Sequence, residues 1–125
     1  EILFVGHIGK LIKVAGGVKN THSKYGDRRM EIMADCLPDT LDEQVRNEWT
    51  DRIFGCNTTE EALEYLKSWG ICDQVMHTAV SRMQHYMKQW AGGNCDVQVV
   101  TFSTVYGILG KTSDSDRMIE RWRQS

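Results

Sequence analysis

The chain opens on an uninterrupted apolar run, Ile2 to Val5, of the kind expected of a strand buried on both faces. Gly6-His7-Ile8-Gly9 breaks the run, and Lys10-Leu11-Ile12-Lys13-Val14-Ala15 predicts a short helix ended by Gly16-Gly17. Strand, tight glycine turn and helix make the first half of a βαβ unit. Residues 18–27 are polar and turn-rich. A helix is predicted from near Asp27, with Met30, Met33, Ala34 and Leu37 on one face before Pro38 ends it. Thr40 with Glu43 reads as a capping box for a helix whose Val45, Trp49 and Ile53 recur every fourth position and which Gly55 closes. Thr58 with Glu61 repeats that signature ahead of Ala62, Leu63, Tyr65, Leu66 and Trp69, with Gly70 as the stop. Residues 72–90 predict the longest helix, its buried stripe formed by Val75, Ala79, Val80, Met83, Met87 and Trp90. After the Gly92-Gly93-Asn94 turn, Val97 to Phe102 predicts a second buried strand, and Ser113 to Arg123 a short exposed helix.

Helical crossovers join parallel strands, so Val97–Phe102 is expected to lie parallel to Ile2–Val5. Two strands are too few for the helices between them. The predicted fold class is therefore α/β, a partial parallel sheet with flanking helices, some of whose strands lie outside this stretch. Glu1 leading straight into a strand points to a fragment of a longer protein. Residues 1–125 show no linker, repeat or low-complexity run and are expected to form a single unit.

The composition narrows the function. At 125 residues, 41% hydrophobic and 26% charged, the chain is ordinary for a soluble globular fold. A net charge of −2 gives no general pull toward nucleic acid or an anionic membrane, so any basic site must be local. No apolar stretch approaches the roughly 20 residues that span a bilayer. Cys36, Cys56, Cys72 and Cys95 form no CxxC pair, which disfavours structural zinc. Free, mostly buried thiols in a reducing cytoplasm are expected.

The densest chemistry lies in Gly6-His7-Ile8-Gly9-Lys10. Glycines at a strand-to-helix turn let backbone N–H groups approach a ligand, the helix N-terminus favours negative charge, and Lys10 and Lys13 add cations. The competing reading is a tight turn with two solvated lysines. The spacing fits neither a Walker A loop, where Leu11 stands in place of the metal-binding hydroxyl, nor a Gly-x-Gly-x-x-Gly fingerprint. Asn20-Thr21-His22-Ser23 places four hydrogen-bonding side chains in a row, and Asp27, Arg29 and Glu31 follow. Such groups are also ordinary turn-formers and caps. His7 and His22 lack partners at metal-ligand spacing. His77 and His85 stand about 80° apart around a helix, a spacing that predicts neither a zinc pair nor a shared face. No metal site is expected. Taken singly, these features imply an anionic or polar ligand at the strand end.

Taken together, the string VGHIGKLIKVAGGVKNTHSKYGDRRMEI resembles the central signature of the CbiD family of corrin-precursor methyltransferases. That signature runs as an apolar strand, Gly-His-x-Gly-Lys, a lysine, a small-residue stretch, Asn-Thr-His-Ser and Asp-x-Arg-x-Glu. It is met here by Gly6, His7, Gly9, Lys10, Lys13, Gly17, Asn20, Thr21, His22, Ser23, Asp27, Arg29 and Glu31. Asn57 to Ala62 and Ser103 to Gly110 resemble later parts of the family less distinctively.

The resemblance implies transfer of a methyl group from S-adenosylmethionine to carbon 1 of cobalt-precorrin-5B, giving cobalt-precorrin-6A in anaerobic cobalamin biosynthesis. It also implies a cytoplasmic two-domain protein with a C-terminal, Rossmann-like α/β portion. This chain would be that portion, inactive alone and partnered by the rest of its own chain, with no nucleic acid or membrane partner. The matched residues would line the site, Lys10 and Lys13 meeting carboxylates of the macrocycle. No catalytic assignment follows, and His7 and His22 are the acid–base candidates. Two alternatives stand beside this: a phosphate- or nucleotide-binding α/β domain using the Gly6–Lys10 turn, and a non-catalytic scaffold module.

Overall fold

A computed structural model describes residues 1–17 and 28–124. In chain order these contain β1 (Ile2–His7), α1 (Ile8–Ala15), α2 (Arg29–Asp35), α3 (Glu43–Phe54), α4 (Thr59–Ser68), α5 (Cys72–Trp90), β2 (Val97–Ser103), β3 (Gly107–Lys111) and α6 (Ser115–Gln124). The strands form one sheet in the order β1-β2-β3. β1 runs parallel to β2 from Ile2↔Val97 to His7↔Phe102, as the crossover argument requires. β3 returns antiparallel, with an irregularity at Thr101/Phe102.

The sheet is therefore mixed, and one of the strands expected from outside comes from within. β3 has the sequence GILGK, too short and glycine-rich to register as an apolar run. Its turn depends on Gly107, whose φ of 77° is strained for any residue with a Cβ. Gly110 is required by packing, since a Cβ there would stand 3.2 Å from the Met76 carbonyl oxygen.

Strand alternation gives β2 two different faces. Val97 and Val99 are fully buried in the main core with Ile8 and Ile12 of α1 and Val75, Met76, Ala79, Val80 and Met83 of α5. Gln98 and Val100 face the other side, where Thr112 ties β3 to β2. Its hydroxyl accepts the Val99 N–H at 2.9 Å and donates to Gln98 Oε1 at 2.6 Å. Gln98 Nε2 in turn donates to Asp96 Oδ1. That bond, with Arg121 assisting, holds the Asp96 carboxyl below its usual range. The predicted exposed C-terminal helix is α6, and it is partly built into the fold, with Met118 and Ser115 fully buried.

β1 departs from the expectation of burial on both faces, since Phe4 is 41% and Val5 60% exposed. Among the described residues it pairs on one side only, with β2. The expected Thr40–Glu43 capping box does not form either: α3 starts after Asp42, whose side chain makes no cap bond. The Thr58–Glu61 box forms in part. Thr58 Oγ1 accepts the Glu61 N–H, while Glu61 Oε2 accepts that of Asn57, one residue earlier than a reciprocal box would have it. α2 ends at Asp35, so Leu37 is buried from the connection and not from the helix. α5 spans 72–90 as predicted, with Met76 and Cys72 added to its buried stripe. All four cysteines are free, Cys36, Cys56 and Cys72 buried and Cys95 half-buried. No helix among the described residues is long and apolar enough to cross a membrane.

Thr112→Val in the intact protein removes the acceptor of a buried N–H and the donor to a buried amide. It should lower unfolding stability by about 1–3 kcal/mol in urea titrations. A change within about 0.5 kcal/mol would show that the network contributes nothing.

Candidate functional site

β1 passes into α1 without the expected glycine turn: Gly6 and His7 complete the strand and Ile8 and Gly9 begin the helix. His7 is the N-cap, with extended backbone, and its Nδ1 accepts the Gly9 N–H at 3.0 Å. That bond assigns the ring hydrogen to Nε2, which faces Glu60 Oε1 at 3.3 Å. The second Glu60 oxygen accepts from Thr59 Oγ1 at 3.2 Å, and the edge of the imidazole meets Phe102 with ring centroids 5.7 Å apart. Both His7 nitrogens are therefore engaged, and the start of α4 is tied to the start of α1.

The two glycines leave room for this joint. A Cβ on Gly6 would lie 2.9 Å from Leu11 Cγ, and one on Gly9 would lie 3.1 Å from His7 Nδ1. The Gly9 N–H that a ligand would have used is occupied by the cap. Lys10 is exposed and makes no ion pair with the described residues, whereas Lys13 is half-buried.

Of the other matched residues, Asn20, Thr21, His22, Ser23 and Asp27 lie outside the described residues. Arg29 is half-buried on α2, and Glu31 is exposed and paired with Arg28 at 3.3 Å. Glu31 borders a cleft of about 950 Å³ formed mainly by α2, α3 and α5. Gly16, which caps the far end of α1, borders it too. α1 is about 12 Å long by its rise per residue, so His7 and Glu31 belong to opposite ends of it.

On α5 the cleft is lined by His77, Ser81 and His85, so the two histidines share a face after all. The 80° between them is narrow enough for one concave wall. Arg28, Arg46 and Arg82 also line it. Sequence reading missed Arg46 and Arg82 because they stand alone on two helices, with no local motif to mark them. Beside Arg82, burial pushes the Cys36 thiol up to about 11, the guanidinium opposing that shift. Among the described residues, no group of three or more His, Cys, Asp or Glu is placed to hold a metal ion.

Two outcomes follow for the intact protein. His7→Ala removes the α1 cap and should cost about 0.5–2 kcal/mol in denaturant titrations, whereas His7→Asn, itself a good cap, should restore most of it. Equal losses in both variants would contradict the capping role. The raised Cys36 pKa means roughly 100-fold less thiolate than an ordinary thiol holds below pH 9. Iodoacetamide at pH 8, followed by peptide mass spectrometry, should label Cys95 well before Cys36. Labelling of Cys36 at the Cys95 rate would contradict its burial.

Comparison with known proteins gives the arrangement a family. The family model described as "CbiD, C-terminal domain" matches residues 20–113. The cobalt-precorrin-5B C(1)-methyltransferase of Fusobacterium nucleatum is 36% identical over 121 residues, 95% of this chain and 30% of the relative. The protein of the same name from Listeria monocytogenes serotype 4a is 36% identical over 131 residues, 98% of this chain and 33% of the relative. That from Clostridioides difficile is 36% identical over 123 residues, 96% of this chain and 29% of the relative. The chain thus spans about a third of the length of these curated relatives. No solved structure matches it. A family model covering most of the chain, together with this agreement across nearly all of it, shows that the chain belongs to the CbiD family, as its C-terminal domain.

Proposed function

We propose that this chain is the C-terminal α/β portion of an enzyme that methylates carbon 1 of cobalt-precorrin-5B, giving cobalt-precorrin-6A. The observation that carries the reading is the 36% identity, over 95% of the chain, to a relative bearing that name. S-adenosylmethionine would supply the electrophilic methyl group. A displacement of this kind needs its partners held in line more than it needs proton transfer. The chain's part is then to bind and orient. Exposed Lys10 at the start of α1 and the guanidinium groups of the α2–α5 cleft suit carboxylate-bearing ligands. Under this reading the segment from Gly6 to Glu31 lines the site, and a cytoplasmic location accords with it.

His7 fits a positioning role better than a free base, because its two nitrogens hold Gly9 and Glu60. The same geometry weakens the nucleotide-binding alternative, since the Gly9 N–H that its phosphate turn would use is spent on the cap. A non-catalytic module would leave the cleft without a ligand.

The test is the full-length enzyme with methyl-labelled S-adenosylmethionine and cobalt-precorrin-5B. One labelled methyl should appear on the corrin product, at carbon 1 by NMR, with S-adenosylhomocysteine formed in equal amount. No transfer, or transfer to another carbon, would overturn the reading.

A further inference from the structure

The cleft among α2, α3 and α5 has a chemistry that the matched signature does not describe. Arg46 is anchored through a single nitrogen, Nη1 donating to the carbonyl oxygens of Leu37 at 3.2 Å and Pro38 at 2.8 Å. Arg82 is held in the same way, its Nη1 donating to the Asp35 carbonyl at 3.4 Å and carboxylate at 2.8 Å. A guanidinium carries five N–H donors in a fixed plane. Among the described residues, Nε and Nη2 of both side chains have no partner.

The anchors lie together, on residues 35–38, so the connection after α2 fixes both forks at one place. The Arg82 bond also caps the C-terminus of α2 and the Arg46 bonds tie down the connection after it, and that is the alternative account of the arginines. Capping consumes one nitrogen of each, however, and does not explain the rest of the wall. Phe54, at the end of α3, is 54% exposed and lines the cleft, as do Tyr86 of α5 and the edges of the buried Ile32 and Ala15. Thr78 and Ser81 of α5 add small polar side chains to the lining. About 950 Å³ lies near the upper end of the range for ligand sites, far more than a lone carboxylate needs.

We propose that this cleft holds the corrin precursor. In it one face of the macrocycle lies on Phe54 and Tyr86, and peripheral carboxylates lie on the free edges of Arg46 and Arg82. The proposal rests on the functional reading above and gives its substrate a place. The observed combination suits a flat, apolar-faced polyanion. The acidic residues at the rim, Glu31 and Asp35, are paired with Arg28 and Arg82 and offset their charge, so Arg46 is the least compensated cation of the three. Arg46 meets a carboxylate only at 4.0 Å, from exposed Asp39.

The experiment uses the full-length protein and two soluble cobalt corrins, cobyrinic acid with free carboxylates and cobinamide with amides in their place. Binding is followed by the corrin absorbance, and S-adenosylhomocysteine is titrated in parallel. Wild type should bind cobyrinic acid at least tenfold more tightly than cobinamide. Ser81→Trp, which sets an indole into the cleft from an exposed helix position, should weaken cobyrinic acid at least tenfold. Phe54→Ala should weaken it severalfold. Melting temperatures and S-adenosylhomocysteine affinity should be unchanged in both variants.

Wild-type affinity for cobyrinic acid in the two folded variants would overturn the proposal, while leaving methyl transfer standing. Equal affinity of wild type for the two corrins would overturn the carboxylate recognition. Weakening of S-adenosylhomocysteine alone would assign the cleft to the methyl donor and contradict the proposal. Absence of methyl transfer by wild type would instead remove the functional reading on which it rests.

Discussion

The parallel pairing of β1 with β2 joins segments 95 residues apart, Thr101 Oγ1 reaching the Gly6 carbonyl oxygen across the join. Closing a loop of that length costs about 4 kcal/mol of chain entropy before any contact is returned. The return comes from Val97 and Val99, fully buried against Ile8, Ile12 and the apolar stripe of α5. Each is a valine whose complete burial contributes roughly 1.5–3 kcal/mol. Every helix from α1 to α5 lies within that crossover, so the positions of the cleft walls follow from a pairing in which none of them takes part.

The same pairing fixes the joint at the end of β1. With His7 opposite Phe102, its ring is braced by an aromatic edge, capped onto Gly9 and directed at Glu60. Residues from three elements thereby lock the start of α1, and its far end delivers Gly16 to the edge of the α2–α5 cleft.

Much of this was legible in the chain. The long apolar stripe of α5, the buried run of β2 and the Thr58 cap are local patterns, and each stands where apolar patterning and capping chemistry place it. The misses have a common cause, which is that long-range context decided them. GILGK carries too little apolar content to announce a strand, yet it pairs because β2 offers an edge and Gly110 fits under Met76. Phe4 and Val5 read as core because apolar side chains do not reveal what lies beyond the sheet edge. The glycines of the β1–α1 joint were singled out for ligand approach; the structure adds a packing reason local sequence does not show, the nearness of Leu11 and of the His7 ring. Arg46 and Arg82 are 36 positions apart in the chain and meet only through residues 35–38, so no spacing rule finds them.

Hydrogen–deuterium exchange on the full-length protein, with and without cobyrinic acid, tests whether the surface around the α2–α3 connection and the facing side of α5 receives the corrin, because it reads every backbone segment at once. Added protection is expected in peptides covering residues 28–38 and 77–86, with little change along β3 and α6. Protection confined to β3, α6 or segments outside this chain would contradict it.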